Sequence, residues 1–511
     1  MKPFQSILYP PGQGLDQRVQ LNKEAPDFWS DLHLDKVVEA IVEGKEEYGL
    51  RPLFYTPLHD IGSIDYRQRV LRDLERPAAF HRLTTFSREM RAVRQTLPAA
   101  DGRYYKYQRE RLFLDAVACY CKAVASLAGD LPLFGFQSPG LMSFHAFLAT
   151  YCGEDSFVKL YTETSGLLKE LGAVAYCVLI KDLRVQVRPY NGQPDYLPIV
   201  ERLFGKFDPS TPHELLREPN TRPAMNHVEA RILEGVAALF PELFRKLDAY
   251  CQQHAGFMNE TIVVFDREIQ FYLSWLDYIG KMKASGLPFC YPELTADKAV
   301  DSSQSYDLAL AAKLIEKRQT VISNDFAMGG RDRILVITGP NQGGKTTFAR
   351  TFGQLHYLAA LGLTVPGAYA RLFLFDRLYT HFEKEEDAGT LRSKLEDDLI
   401  RIRDIIDQAT GASIVIMNES LSSATLQDAI TMSKKVIEYI VRKDLLCVWV
   451  TFIEEIIPMS NTIVSMVAAI EPDNPARRTF RVVRKKADGL AYAYSLAEKY
   501  HVTHDWLKQR L

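Results

Sequence analysis

Gly339-Pro340-Asn341-Gln342-Gly343-Gly344-Lys345-Thr346 is the stretch whose residue types and spacing point most directly to chemistry. It follows the apolar run Ile334-Leu335-Val336-Ile337 and precedes a helix-like stretch from Thr347, so it reads as strand, glycine-rich loop and helix start. Glycines let backbone N–H groups turn inward, and a helix N-terminus adds partial positive charge; together they cradle a triphosphate. Lys345 then reaches the β- and γ-phosphates, and Thr346 offers a hydroxyl to Mg²⁺. A glycine-rich turn with an exposed lysine is the competing reading. The apolar strand in front of the loop weighs against it.

A second apolar run, Ser413 to Met417, ends in Asn418-Glu419. Where a phosphate loop serves an ATPase, an acid at the first of these positions holds the Mg²⁺ shell and one at the second polarises the attacking water. Glu419 has the chemistry for the second task. Asn418 is neutral and offers a weaker oxygen for the first. A third run, Leu445 to Val450, ends at Thr451-Phe452, and Thr425 to Lys443 between the two reads as a helix. Three strands ending in polar residues at one sheet edge suit a crevice site.

The elements that must position these residues lie in a chain of 511 residues, 47% apolar, long enough for two or three domains. Strands alternate with helices after about residue 297, the pattern of a mostly parallel α/β sheet. The preceding chain reads as largely helical, divided as 1–130 and 131–296. Ile232, Val236, Leu239, Leu243, Leu247 and Tyr250 form one helical stripe. Ile262, Phe265, Ile269, Tyr272, Leu276 and Ile279 form another. Pro241 kinks or restarts the first of these helices. Residues 174–190 switch to a period of two, a hairpin with Arg184 and Arg188 on one face. Those arginines suit either a phosphate backbone or simply solvent.

A net charge of −2 excludes binding of nucleic acid by bulk positive charge, so any such contact is local. The seven cysteines are scattered, and Cys119 and Cys121, one residue apart, lack a zinc spacing; buried reduced thiols are expected. No apolar run reads as a membrane span and Met1-Lys2-Pro3-Phe4 lacks a signal-peptide core, so the expectation is a soluble, cytoplasmic chain.

Thr338 to Thr347 resembles the phosphate loop of the MutS DNA mismatch-repair family, whose T-G-P-N-x-G-G-K pattern is more specific than a generic phosphate loop. Met417-Asn418-Glu419 with Thr425 and Asp428, Val450-Thr451-Phe452, and Asp488-Gly489 with Tyr492 and Tyr494 are similar to further family segments in order and spacing. The resemblance covers roughly 318–511 and is architectural over 30–295, where the family has lever helices and a hairpin-bearing clamp. It implies an ABC-type ATPase domain over 297–511 that uses ATP and Mg²⁺ and works as a homodimer. The nucleotide is then bound by Gly339, Pro340, Asn341, Gln342, Gly343, Gly344, Lys345, Thr346 and Thr347. Asn324 lies in the loop that receives adenine, Lys345 and Glu419 are catalytic, and Thr346 with Asn418 faces the metal. The segment lent to the partner's nucleotide falls at 388–393, with Ser393 and Thr390 the nearest hydroxyls. Arg184 and Arg188 fall on the DNA clamp.

Two departures stand against the pattern. The metal-shell acid is Asn418, and the family's switch histidine is Phe452, which has no hydrogen-bonding group. Nucleotide binding is expected to survive with hydrolysis slowed, unless a carboxylate such as Asp428 compensates. The first hundred residues also hold no Phe-x-Glu wedge, so the usual mismatch reader is not expected. The leading functional expectation is a dimeric ATPase closing a clamp on DNA. The alternative is a nucleotide-binding scaffold acting on a protein partner, and a small-molecule kinase stands third.

Overall fold

The protein is described by a computed structural model over residues 4–12, 20–97, 105–181, 184–194, 196, 225–383, 393–471, 474–486 and 508. Its contacts divide it into two units. One contains Met1–Arg76, Gln137–Leu141 and Arg267–Leu511; the other contains Pro77–Phe136 and Met142–Asp266. The sequence-based boundaries at 130/131 and 296/297 do not coincide with this division.

The reason lies in what the N-terminal residues bury. Helices α1 (Leu34–Val42), α2 (Arg51–Tyr55) and α3 (Ile61–Leu74) belong with the C-terminal chain. Arg67 on α3 is fully buried and donates to Leu8 O at 3.0 Å and Leu361 O at 2.9 Å. Gln354 donates to Leu32 O, and the Tyr357 hydroxyl donates to Phe54 O. Buried polar groups of this kind need their partners, so these contacts tie segments some 300 residues apart in sequence. Hydrophobic periodicity marks a helix but not its packing partner, and so could not show this.

The second unit contains α4 (Pro77–Thr96), α5 (Lys106–Asp130), most of α6 (Pro139–Gly153), α7 (Asp155–Gly172), the hairpin β1 (Tyr176–Lys181) and β2 (Arg184–Pro189), α8 (His227–Leu239), α9 (Pro241–Gln253) and the start of α10 (Glu260–Ala284). Pro241 does restart a helix, at its first turn, where its missing N–H leaves no bond unmade. On the hairpin, Val187 packs on Gly235 of α8, while Arg184, Gln186 and Arg188 alternate to the exposed face. Lys106 to Phe134 is long and apolar enough by composition to cross a membrane, a feature that reading simple apolar runs misses. Leu114, Val117, Tyr120, Val124 and Leu127 are buried within the unit, the pattern of a core helix.

The first unit continues with β3 (Phe289–Cys290), β4 (Glu293–Thr295), β5 (Val300–Ser305), α11 (Leu308–Glu316), β6 (Asn324–Met328), β7 (Ile334–Thr338), α12 (Lys345–Ala360), β8 (Val365–Pro366), β9 (Tyr369–Phe373), β10 (Leu378–Phe382), α13 (Lys394–Gln408), β11 (Ile414–Asn418), α14 (Leu426–Lys443), β12 (Leu446–Val450), β13 (Ile463–Glu471) and β14 (Asn474–Arg484). Six strands form one sheet in the order β10-β11-β12-β7-β13-β14, parallel except for β14. Every residue of β7, β11 and β12 is buried, as expected of parallel strands covered on both faces. Met417 and Trp449 pack with Ile402 of α13 and Ile437 and Ile440 of α14, while Gly353 of α12 meets Ile416 on the other face. A smaller sheet runs β4-β9-β5-β6.

Candidate functional site

The loop after β7 is built around close approaches that side chains would block. A Cβ on Gly343 would stand 2.9 Å from Pro340 O and 3.0 Å from Ala468 Cβ. Gly344 caps α12 in the left-handed region at φ 95°, with the Phe480 backbone beside it. Asn341 and Gln342 are exposed, Pro340 and Gly343 are buried, and Thr346 and Thr347 are half-buried. The first N–H groups of α12 have no acceptor within the helix, which leaves a ready anion site at its start.

Lys345 occupies the centre of this arrangement. Its ammonium donates to Gly339 O at 2.8 Å and Pro340 O at 3.2 Å, and lies 4.0 Å from the centroid of the Phe452 ring. It is only 4% exposed. Burial lowers its pKa to about 8; the Glu419 charge partly opposes that and Arg478 adds to it.

β11 and β12 bring the remaining candidates to the same sheet edge. Thr346 Oγ1 donates to Asn418 Oδ1 at 2.9 Å, so the two residues expected to face a metal are in contact. Glu419 follows in the left-handed region at φ 53°, its N–H held by Val450 O. Of the oxygens offered by Thr346, Asn418 and Glu419, only the last carries a formal charge. A divalent cation held here would need further negatively charged oxygens. Among the described residues no three His, Cys, Asp or Glu side chains form a self-sufficient metal site. Asp428 is engaged at its own helix start, accepting from Thr425 Oγ1 at 2.7 Å.

Other candidates stand apart or serve local structure. Asn324, at the start of β6, donates to Phe480 O at 3.2 Å and accepts from the Val482 N–H at 2.7 Å. Ser393 caps α13 by accepting the Glu396 N–H. Positions 388–392 and 488–497 lie outside the described residues. Arg184 and Arg188 belong to the other unit, both exposed, with no ion-pair partner among the described residues.

Three features escape the sequence. Phe480 sits at φ 57° and half exposed, its backbone held by Asn324 against Gly344. Its only sequence signal is an aromatic in a basic strand 135 residues downstream of the loop. Arg478, two residues earlier, lies close enough to act on Lys345. Beside Glu419, Ser420 Oγ lies 2.7 Å from His381 Nδ1, and His381 Nε2 lies 3.4 Å from Asp398, all three buried. Ser420 lies between Glu419 and Leu421, both left-handed, so this buried network braces a strained turn.

The family model for MutS domain V matches residues 335–503. The chain is 26% identical over 212 residues to the DNA mismatch repair protein MutS of Orientia tsutsugamushi (strain Boryong), covering 41% of this chain and 23% of that protein. It is 27% identical over 220 residues to the protein of the same description from Parasynechococcus marenigrum (strain WH8102), covering 43% and 24%. With that of Chlorobium phaeovibrioides (strain DSM 265 / 1930) it shares 25% identity over 232 residues, covering 44% and 25%. The chain thus spans about a quarter of the length of these relatives.

Proposed function

Because this chain belongs to the MutS family through the domain at residues 335–503, we propose that it is a dimeric ATPase whose nucleotide state opens and closes a grip on DNA. The observation that carries this reading is the convergence of Lys345, Thr346, Asn418 and Glu419 at the C-terminal edge of β7 and β11, with the start of α12 among them. ATP fits that donor set. Loop N–H groups and Lys345 would hold the phosphates, Thr346 and Asn418 would face Mg²⁺, and Glu419 would orient a water. Bound Mg²⁺ supplies charge neutralisation at the transferring phosphoryl group. In this reading the exposed Phe480 ring, its backbone braced by Asn324, would receive the base.

Closure of two copies on ATP and their release on hydrolysis then follow from differential binding of the triphosphate to the closed state. Arg184 and Arg188, exposed on one hairpin face, are the proposed DNA contacts, and a cytoplasmic setting is in keeping with this role. Equilibrium dialysis with MgATP tests the core of it: uptake by the wild type and none by Lys345→Ala is expected. No uptake by either protein overturns it.

A scaffold that binds nucleotide, turns over slowly and acts on a protein partner is the second reading. The neutral Asn418 on Thr346 and the Phe452 ring over Lys345 favour it. Duplex and branched DNA titrated at low salt, with and without ATP, separates the two; no affinity in any nucleotide state selects the scaffold.

A further inference from the structure

The enclosure around the Lys345 ammonium has two kinds of wall. Gly339 O and Pro340 O are backbone atoms of buried residues, fixed by the loop. The third wall is the Phe452 ring, which is half exposed. The backbone on either side of Phe452 is anchored: the Thr451 N–H donates to Ile337 O at 3.1 Å and the Ile453 N–H to Thr451 Oγ1 at 3.0 Å. The ring itself is therefore the movable part. A phosphate oxygen must come within about 2.8 Å of Nζ to make a charge-assisted hydrogen bond. With fixed carbonyls on the inner side, the ring holds the solvent-side approach to Nζ.

From this geometry we propose that Phe452 is a displaceable aromatic cover over Lys345, swung aside by an incoming polyphosphate and so setting how tightly the site holds one. The inference rests on the reading of the loop as a phosphate site. The ring and the phosphate compete for one cation, so the affinity measured is the intrinsic affinity reduced by the fraction of covered sites. A desolvated cation–π contact shifts such an equilibrium by on the order of tenfold.

The test uses the full chain and Phe452→Leu, which keeps apolar volume and removes the π face, with Phe452→Ala as a second variant. Without ligand, acylation of Lys345 is followed by mass spectrometry from pH 7 to above its titration, where the plateau rate reads access alone. MgATP and magnesium tripolyphosphate are then titrated into each protein. The expected result is a plateau several-fold higher in Phe452→Leu and both ligands bound about tenfold tighter. An unchanged plateau in both variants overturns the cover. A raised plateau with equal or weaker MgATP binding overturns the competition. A raised plateau with neither ligand bound by any of the proteins supports the cover and overturns the phosphate reading on its own.

Discussion

Replacing Lys345 with methionine isolates the energetic consequence of holding a cation behind the glycine-rich loop. Burial lowers the amine from 10.5 to about 8. At ~1.4 kcal/mol per pH unit, the folded state carries the charge at a cost of about 3 kcal/mol. The sign follows from proton counting. Below pH 8 the amine is charged in both folded and unfolded chains, so the full cost is present. Between 8 and 10.5 the folded amine is neutral while the unfolded one keeps its proton, so stability rises with pH and the cost is removed by about 10.5. Methionine fills the same space but leaves Gly339 O and Pro340 O without their donor, which costs about 1–2 kcal/mol at every pH. Lys345→Met should therefore stabilise the ligand-free protein by about 1–2 kcal/mol at pH 7 and lose that advantage by pH 10. Urea unfolding followed through buried tryptophans such as Trp449 on β12 reads this at the two pH values. A stability difference between the two proteins that is the same at pH 7 and pH 10 refutes the reasoning.

Four further outcomes follow from the same geometry. If the site holds nucleotide as proposed, a phosphate beside Lys345 would restore its charge, so MgATP affinity should be flat below about pH 8 and fall above it, with proton uptake seen by calorimetry in buffers of different ionisation heat. Gly343→Ala drives a methyl to 2.9 Å from Pro340 O; a loss of about 2 kcal/mol in unfolding free energy and of nucleotide binding is expected. Asn418→Asp places a formal charge on Thr346, so ATP affinity should depend more steeply on Mg²⁺ and weaken in its absence, as fluorescent-nucleotide titration would show. Arg184→Ala with Arg188→Ala should lower the slope of log DNA affinity against log salt by about two if both meet phosphates; an unchanged slope removes them from the interface.

The candidate site was legible wherever neighbours in sequence are also neighbours in space. The alternation of apolar runs with Gly, Asn, Glu and Thr marks the ends of β7, β11 and β12, because a buried parallel strand reads as a continuous apolar run. The pairing of Thr346 with Asn418 was foreseeable only as a shared role, since it depends on strand order. Phe480 and Arg478 show only as an aromatic and a base within a basic strand, and the contact of His381 with Ser420 carries no local signature. Asn324 illustrates the difference: its place in the sequence suggests a base-receiving loop, while its amide bonds the backbone on either side of Arg481, at Phe480 O and the Val482 N–H.

What the sequence determined by itself is the strand–loop–helix unit around Lys345, because glycine, lysine and threonine spacing acts through local backbone geometry and needs no distant partner. Tertiary structure alone decided that Leu8, Leu32, Phe54 and Arg67 belong with the C-terminal chain, that Asn418 meets Thr346, and that an aromatic ring closes over Lys345. Those contacts join residues from tens to some three hundred positions apart. They arise from burial and hydrogen-bond satisfaction in the packed interior, which periodicity along the chain does not encode.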